Sequence, residues 1–236
     1  MTDYTIFYRG CNSEINSPQK ADRPSYFNKK NCFNSLIDNV YKEILSLGKT
    51  CSFHVLFDGE DNSLLDYINT FNFINVHRMY LKNNSSSLIN LYKIADTIDT
   101  DNFYFVEDDY LHRKGAGKAL TEGLGKFGLI TLYDHMDRYT RSDDITKGKE
   151  EIQLTNSSHW KTSESTTCTW AASKEIYEKV NQRAKNLLLY DREFFRQNYL
   201  QNQIRLWVPI PGYSSHVHDP YQTPLVNWEK INNENK

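Results

Sequence analysis

Four short apolar runs, each separated from the next by a helical pattern, constrain this chain more than any other feature. The first is Tyr4 to Arg9 (YTIFYR), ended by Gly10. The second is CSFHVLFDG, closing on Asp58-Gly59, and the third is Asn75 to Leu81. The fourth, Phe103 to Val106, stops abruptly at Glu107-Asp108-Asp109. A helix is predicted over Asn31 to Leu47, with Phe33, Leu36, Ile37, Val40, Tyr41, Ile44 and Leu45 at helical spacing and Gly48 as a stop. Shorter helices are predicted over Ser63 to Thr70 and Ser86 to Ile98. The order β-α-β-α-β-α-β predicts an α/β fold with a Rossmann-like, mostly parallel central sheet flanked by helices. In such sheets ligands sit beyond the carboxyl ends of the strands. Arg9, Asp58 and the acidic triplet all fall on that rim.

The second half reads differently. Phe127 to Tyr133 and Ser165 to Ala172 are predicted as strands, and Lys174 to Asn186 and Arg192 to Asn202 as helices. Asp134 to Gln153 is charged and reads as a mobile loop. Val208 to Trp228 holds four prolines and little periodicity, which predicts a tail wrapping the surface and returning to the site. No linker or internal repeat divides the 236 residues, and a chain of this length buries enough surface to need no disulfides. Cys11, Cys32, Cys51 and Cys168 show no metal spacing and read as small buried hydrophobes with reduced thiols, as in a cytoplasm. A net charge of −2 argues against a bulk electrostatic grip on nucleic acid. No stretch is apolar enough to span a bilayer, and the start has no signal-peptide core.

Clustered carboxylates at a buried strand end are costly unless a cation or hydrogen bonds satisfy them. They suit a hard divalent ion such as Mg²⁺ or Mn²⁺, which also bridges phosphate oxygens. An idle, solvated acidic loop is the plain alternative.

The segments TIFYRG, HVLFDGEDNS, NNSSSLINLYKIAD, FYFVEDDYL and PIPGYSSHVHDPYQTPLVNWE, in this order, resemble the GT-A glycosyltransferases. FVEDDYL carries most of the likeness, being similar to the DxD signature of that class, and the small enzymes of large DNA viruses and some bacteria look nearest. The resemblance implies one GT-A domain over residues 1–236. Residues 1–112 would bind the nucleotide-sugar, and a smaller C-terminal lobe, 113–236, the acceptor. A viral source would put it in a host cytoplasm. By the same resemblance Asp109 would bind the metal, and Glu107 or Asp108 would contact the ribose or a metal-bound water. Asp58 and Arg9 would line the base pocket, uracil being favoured. Ser85, Ser86 and Ser87 would lie near the ribose or base. His216 would be the late metal ligand, with His218 as the fallback.

An inverting enzyme also needs a carboxylate base away from the phosphates. Asp191, in LLLYDREFFRQN, and Glu164, in HWKTSESTTCTW, are the candidates, and Asp191 is equally a helix N-cap. Trp160, Trp170 and Tyr133 could stack on an acceptor sugar or belong to the core. Arg138 and Arg141 are in reach of a diphosphate or an acidic acceptor if their loop closes over the site. RKGAGKAL lacks the spacing of a P-loop and reads as a helix start. The implied reaction is metal-dependent transfer from a nucleoside diphosphate sugar to a glycan or other hydroxyl, with inversion. A sugar-nucleotidyltransferase and a non-catalytic nucleotide-sugar or carbohydrate-binding module are the competing readings.

Overall fold

The computed structural model describes residues 1–11, 23–60, 62–167, 169–187 and 191–236, with backbone alone over 181–187. Cys168 lies outside the described residues, as does most of the loop after the first strand. The first half runs β1 (Thr2–Cys11), α1 (Lys29–Leu36), a π-helical turn (Ile37–Tyr41), α2 (Lys42–Ser46), β2 (Cys51–Asp58), α3 (Ser63–Ile68), β3 (Ile74–Met79), α4 (Asn84–Ala95) and β4 (Thr100–Glu107). The second runs β5 (Tyr110–His112), α5 (Ala116–Phe127), β6 (Leu129–Ile130), α6 (Asp137–Thr140), β7 (Ile152–Leu154), β8 (His159–Ser163), β9 (Trp170–Ser173), α7 (Lys174–Leu187), α8 (Asp191–Asn202), β10 (Leu206–Ile210), β11 (Ser214–His216), a 3₁₀ turn (Asp219–Tyr221) and α9 (Trp228–Glu234).

Asparagine caps several of these helices. Asn28 accepts from the Lys30 and Asn31 N–H groups, Asn62 from Leu65, Asn83 from Ser86 and Asn227 from Lys230. Each satisfies donors that the helix start leaves orphaned. Gly48, at φ 74°, follows α2 in the left-handed region, as its predicted role as a stop requires.

Strand order is β3-β2-β1-β4-β9-β6-β10-β8-β7 in the nine-stranded sheet, with β11 and β5 forming a separate ribbon. β1 pairs in parallel with β2 and β4, and β2 with β3. Following the pairing outward, only β9 and β8 run against the common direction. Successive side chains of a strand face opposite sides. Ile6 and Tyr8 of β1 therefore pack with Phe33, Val40, Phe53 and Phe57 on one side. Phe7 packs with Leu56, Phe103, Phe105, Trp170 and Tyr177 on the other. Burial on both faces explains why these strands read as unbroken apolar runs.

The second half departs from its sequence reading in several places. Phe127 ends α5, so the strand expected to begin there is only Leu129–Ile130. The charged segment contains α6, and the strand expected over Ser165 to Ala172 begins only at Trp170. The tail supplies β10 to the sheet interior, with Leu206, Trp207 and Val208 buried. Trp160, Trp170 and Tyr133 are at most 3% exposed, so they are core residues and offer no sugar platform. The glycines of RKGAGKAL open α5. The Gly115 and Gly117 N–H groups donate to the Glu43 carboxylate at 2.7 and 3.0 Å, and a Cβ on Gly117 would lie 2.7 Å from the Val40 carbonyl oxygen. Cys32 is buried as expected, whereas Cys11 and Cys51 are half-buried. No described helix is long and apolar enough to cross a membrane.

Candidate active site

β4 delivers the acidic triplet to the sheet rim, where three carboxylates meet three different cations. Glu107 ion-pairs with Arg9 of the neighbouring β1, in register with it. Arg9 also donates to the Asn84 carbonyl oxygen at 2.9 Å and to its Oδ1 at 2.6 Å, tying β1 to the first turn of α4. Asp108 Oδ2 accepts from Lys29 Nζ at 2.7 Å and from the Cys11 N–H at 2.9 Å. Asp109 Oδ2 accepts from Arg23 Nη2 at 2.5 Å and lies 2.9 Å from His216 Nε2. Arg23 is steadied by the Phe27 ring, 4.6 Å away, and by the Val217 carbonyl oxygen at 2.6 Å.

His216 reaches this point on the β5–β11 ribbon, where it pairs with Tyr110. Its imidazole stacks on the Tyr110 ring at 5.2 Å, and the Val217 N–H donates to the Asp109 carbonyl at 2.9 Å. Burial pushes the Asp109 pKa up, but His216 and Arg23 outweigh it and hold the carboxyl below its ordinary value. Asp109 Oδ1 is buried with no hydrogen-bond partner among the described residues. His218 is buried beside His216, their rings 5.7 Å apart.

Among the described residues, no group of three or more His, Cys, Asp or Glu side chains is arranged to hold a metal. Among the described residues, Asp109 and His216 form one pair of candidate donors at the rim. An acidic oxygen with an unused lone pair beside an imidazole nitrogen suits a divalent ion whose remaining ligands come from phosphate and water.

Asp58 and the serines lie elsewhere on the rim. Asp58 Oδ1 accepts from the Leu81 and Lys82 N–H groups at 2.7 and 3.2 Å, closing the turn after β3. Ser85, Ser86 and Ser87 form the first turn of α4 next to Asn84, and Ser87 is buried.

A cavity of about 280 Å³ opens beside His216. Its lining includes Asp191, His135, Arg138, Arg192, Thr166 and Tyr221. Asp191, first residue of α8, thus shares a cavity with His216. Glu164 does not serve as a free base. Its side chain is fully buried and ion-pairs with Arg192 at 2.8 Å and with Arg138 and Arg196 at 3.2 Å. Both of its oxygens are engaged by guanidinium N–H groups. The sequence reading missed Arg23 and Lys29. Charge balance was the available signal, because three carboxylates on one buried rim require cations, and Arg23 and Lys29 lie just before and at the start of α1.

No protein-family model matches the chain, and no curated protein matches it. Solved structures do. GalNAc-T7, solved with UDP, GalNAc and Mn²⁺, superposes with a TM-score of 0.60 over 91% of this chain at 11% identity. The fold is GT-A. This GT-A chain spans 43% of the length of that structure. The galactosyltransferase LgtC, solved with donor and acceptor sugar analogues, covers 86% of this chain and 72% of its own at 12% identity, with a TM-score of 0.46. In this GT-A frame, the ribbon brings His216 from the cavity lining to the acidic triplet at the end of β4.

Proposed function

We propose that this chain is a metal-dependent glycosyltransferase that moves a sugar from a nucleoside diphosphate sugar, a UDP-sugar being favoured, to a glycan or other hydroxyl acceptor with inversion. One observation carries the reading. Asp109 and His216, far apart in sequence, converge to 2.9 Å, and His216 lines a cavity that also holds Asp191. The GalNAc-T7 structure, with UDP and Mn²⁺, supports the choice of nucleotide and metal.

Asp109 and His216 would hold Mn²⁺ or Mg²⁺. When bound, the ion stabilises the charge that develops on the departing diphosphate. Arg9, Asp58 and the serines of α4 form the wall assigned to base and ribose, with Glu107 and Asp108 braced beneath by Arg9 and Lys29. Asp191 accepts the proton of the attacking hydroxyl. In this scheme residues 1–112 hold the donor, and residues 113–236 the acceptor.

UDP release measured over a panel of UDP-sugars, with and without Mn²⁺, tests this reading, alongside thermal shift. A productive donor raises apparent stability by mass action and releases UDP only with metal. Neither release nor a shift with any nucleotide-sugar would overturn the proposal.

A further inference from the structure

A histidine that binds a metal is ordinarily oriented by a hydrogen bond from the ring nitrogen facing away from the ion. His216 is held differently. Its Nε2 lies 2.9 Å from Asp109 Oδ2, and its Nδ1 has no hydrogen-bond partner among the described residues. The outer torsion of a histidine side chain has broad preferences, so one contact at Nε2 does not fix the plane of the ring. Neighbouring rings do. Antiparallel pairing puts His216 of β11 directly opposite Tyr110 of β5, and residues so paired share one face of the ribbon. The Tyr110 ring lies 5.2 Å from the imidazole and is inclined to it by only 15°. His218 adds a second near-parallel ring at 5.7 Å and 19°. It lies past the end of β11, whereas Tyr110 belongs to the paired ladder itself.

Tyr110 is a rigid surface for that imidazole. It is 1% exposed, and its hydroxyl donates to the Thr167 carbonyl oxygen at 2.6 Å. Tyr133 meets its ring edge-on, at 5.4 Å and 83°. A buried ring held at its hydroxyl and along its edge has one orientation open to it, and the imidazole packed against it inherits that orientation. Tyr110 also directly follows Asp109 in the chain. The start of β5 therefore carries one candidate metal donor and, on the next residue, the surface that aligns the other. Thr167 lines the same cavity as His216, so the hydroxyl ties this ring to the cavity wall as well.

We propose that Tyr110 is a positioning residue for the metal site, its ring setting the plane in which His216 presents Nε2 to a divalent ion. This rests on the reading of Asp109 and His216 as metal donors made above. The ring, rather than the hydroxyl, carries the role, so phenylalanine substitutes for it and an aliphatic side chain does not.

Mn²⁺ is titrated by calorimetry into the full chain in the presence of UDP, with folding checked by circular dichroism. Tyr110→Leu is expected to weaken Mn²⁺ by about 10–100-fold, the usual result of removing a group that orients a metal ligand. Tyr110→Phe keeps most of the affinity. His216→Ala loses at least as much as Tyr110→Leu, and combining the two costs nothing further, because the ring acts through the imidazole. Pulsed electron paramagnetic resonance of the bound Mn²⁺ shows the His216 nitrogen coupling in Tyr110→Phe and not in Tyr110→Leu. Full Mn²⁺ affinity in a folded Tyr110→Leu overturns the proposal. So do additive losses in the double variant, which mark general damage to packing, and a Tyr110→Phe as weak as Tyr110→Leu, which moves the role to the hydroxyl. A measurement on the unaltered chain covers a Tyr110→Leu that does not fold. With UDP and diamagnetic Mg²⁺, the His216 ring protons keep the upfield NMR shift that a neighbouring ring face imposes, and loss of that shift on metal binding overturns the proposal. Unchanged Mn²⁺ affinity in His216→Ala is a separate failure: it removes His216 from the metal site, and the role of Tyr110 falls with it.

Discussion

Asp109 Oδ2 holds Arg23 and His216 together, and a divalent ion on this carboxylate competes with the guanidinium for its charge. Opposite effects follow for the two side chains. Asp109→Ala should abolish Mn²⁺-dependent nucleotide binding in calorimetry while circular dichroism stays unchanged. Arg23→Gln should tighten Mn²⁺ binding without nucleotide, by about fivefold for each ~1 kcal/mol of ion pairing removed. Unchanged nucleotide affinity in Asp109→Ala would remove Asp109 from the metal site. A different signature is expected across the cavity, where Asp191→Asn should lower kcat by about 10²–10⁴-fold with donor affinity retained. A near-normal turnover would take the base role away from Asp191. The pairing of Asp109 with His216 was legible from residue order and family likeness. The partners of Glu107 and Asp108 were not, because periodicity does not reveal which cations fold back onto a strand end.

Strands buried on both faces announced themselves, and short ones did not. β1, β2 and β4 carry unbroken apolar runs, and each was read within a few residues of its bounds. The last three residues of β10 were read as tail because Val208 to Trp228 holds four prolines and little periodicity, and proline argues against an interior strand. The structure shows why proline is tolerated there. β10 pairs with β6 at Trp207 alone, so beyond that point only β8 needs its hydrogen bonds. β5 and β11 span three residues each, too few for a period to register. Strand pairing also sets an acid response. His54 on β2 lies 3.0 Å from His77 on β3, and their rings stack at 5.3 Å. Burial, with His77 beside it, pulls the pKa of His54 down to about 4, and burial lowers that of His77. Unfolded imidazoles titrate near 6.5, so between the two values the unfolded chain binds more protons than the native one. Stability therefore falls as pH drops from about 6.5 to about 4. His54→Asn should flatten that fall by on the order of 2 kcal/mol, read from urea midpoints at about pH 7 and pH 4.5. An unaltered slope would assign the acid response to other groups.

At the scale of the molecule, β4 and β9 join the two halves through four paired positions, from Asn102↔Ser173 to Phe105↔Trp170. Phe105 and Trp170 also share one aromatic cluster with Tyr177, Phe194 and Phe195. The halves are expected to unfold together, with near- and far-ultraviolet circular dichroism giving coincident transitions in urea. Two separated transitions would show independent units. The ribbon of β5 and β11 has a further consequence. Asp109 and His216 are 107 residues apart, and the contact that unites them cannot form until β11 docks. A nascent chain that has emerged only through β10 carries its carboxylates but no imidazole to meet them. A chain truncated after β10 would therefore have much of the sheet without this contact.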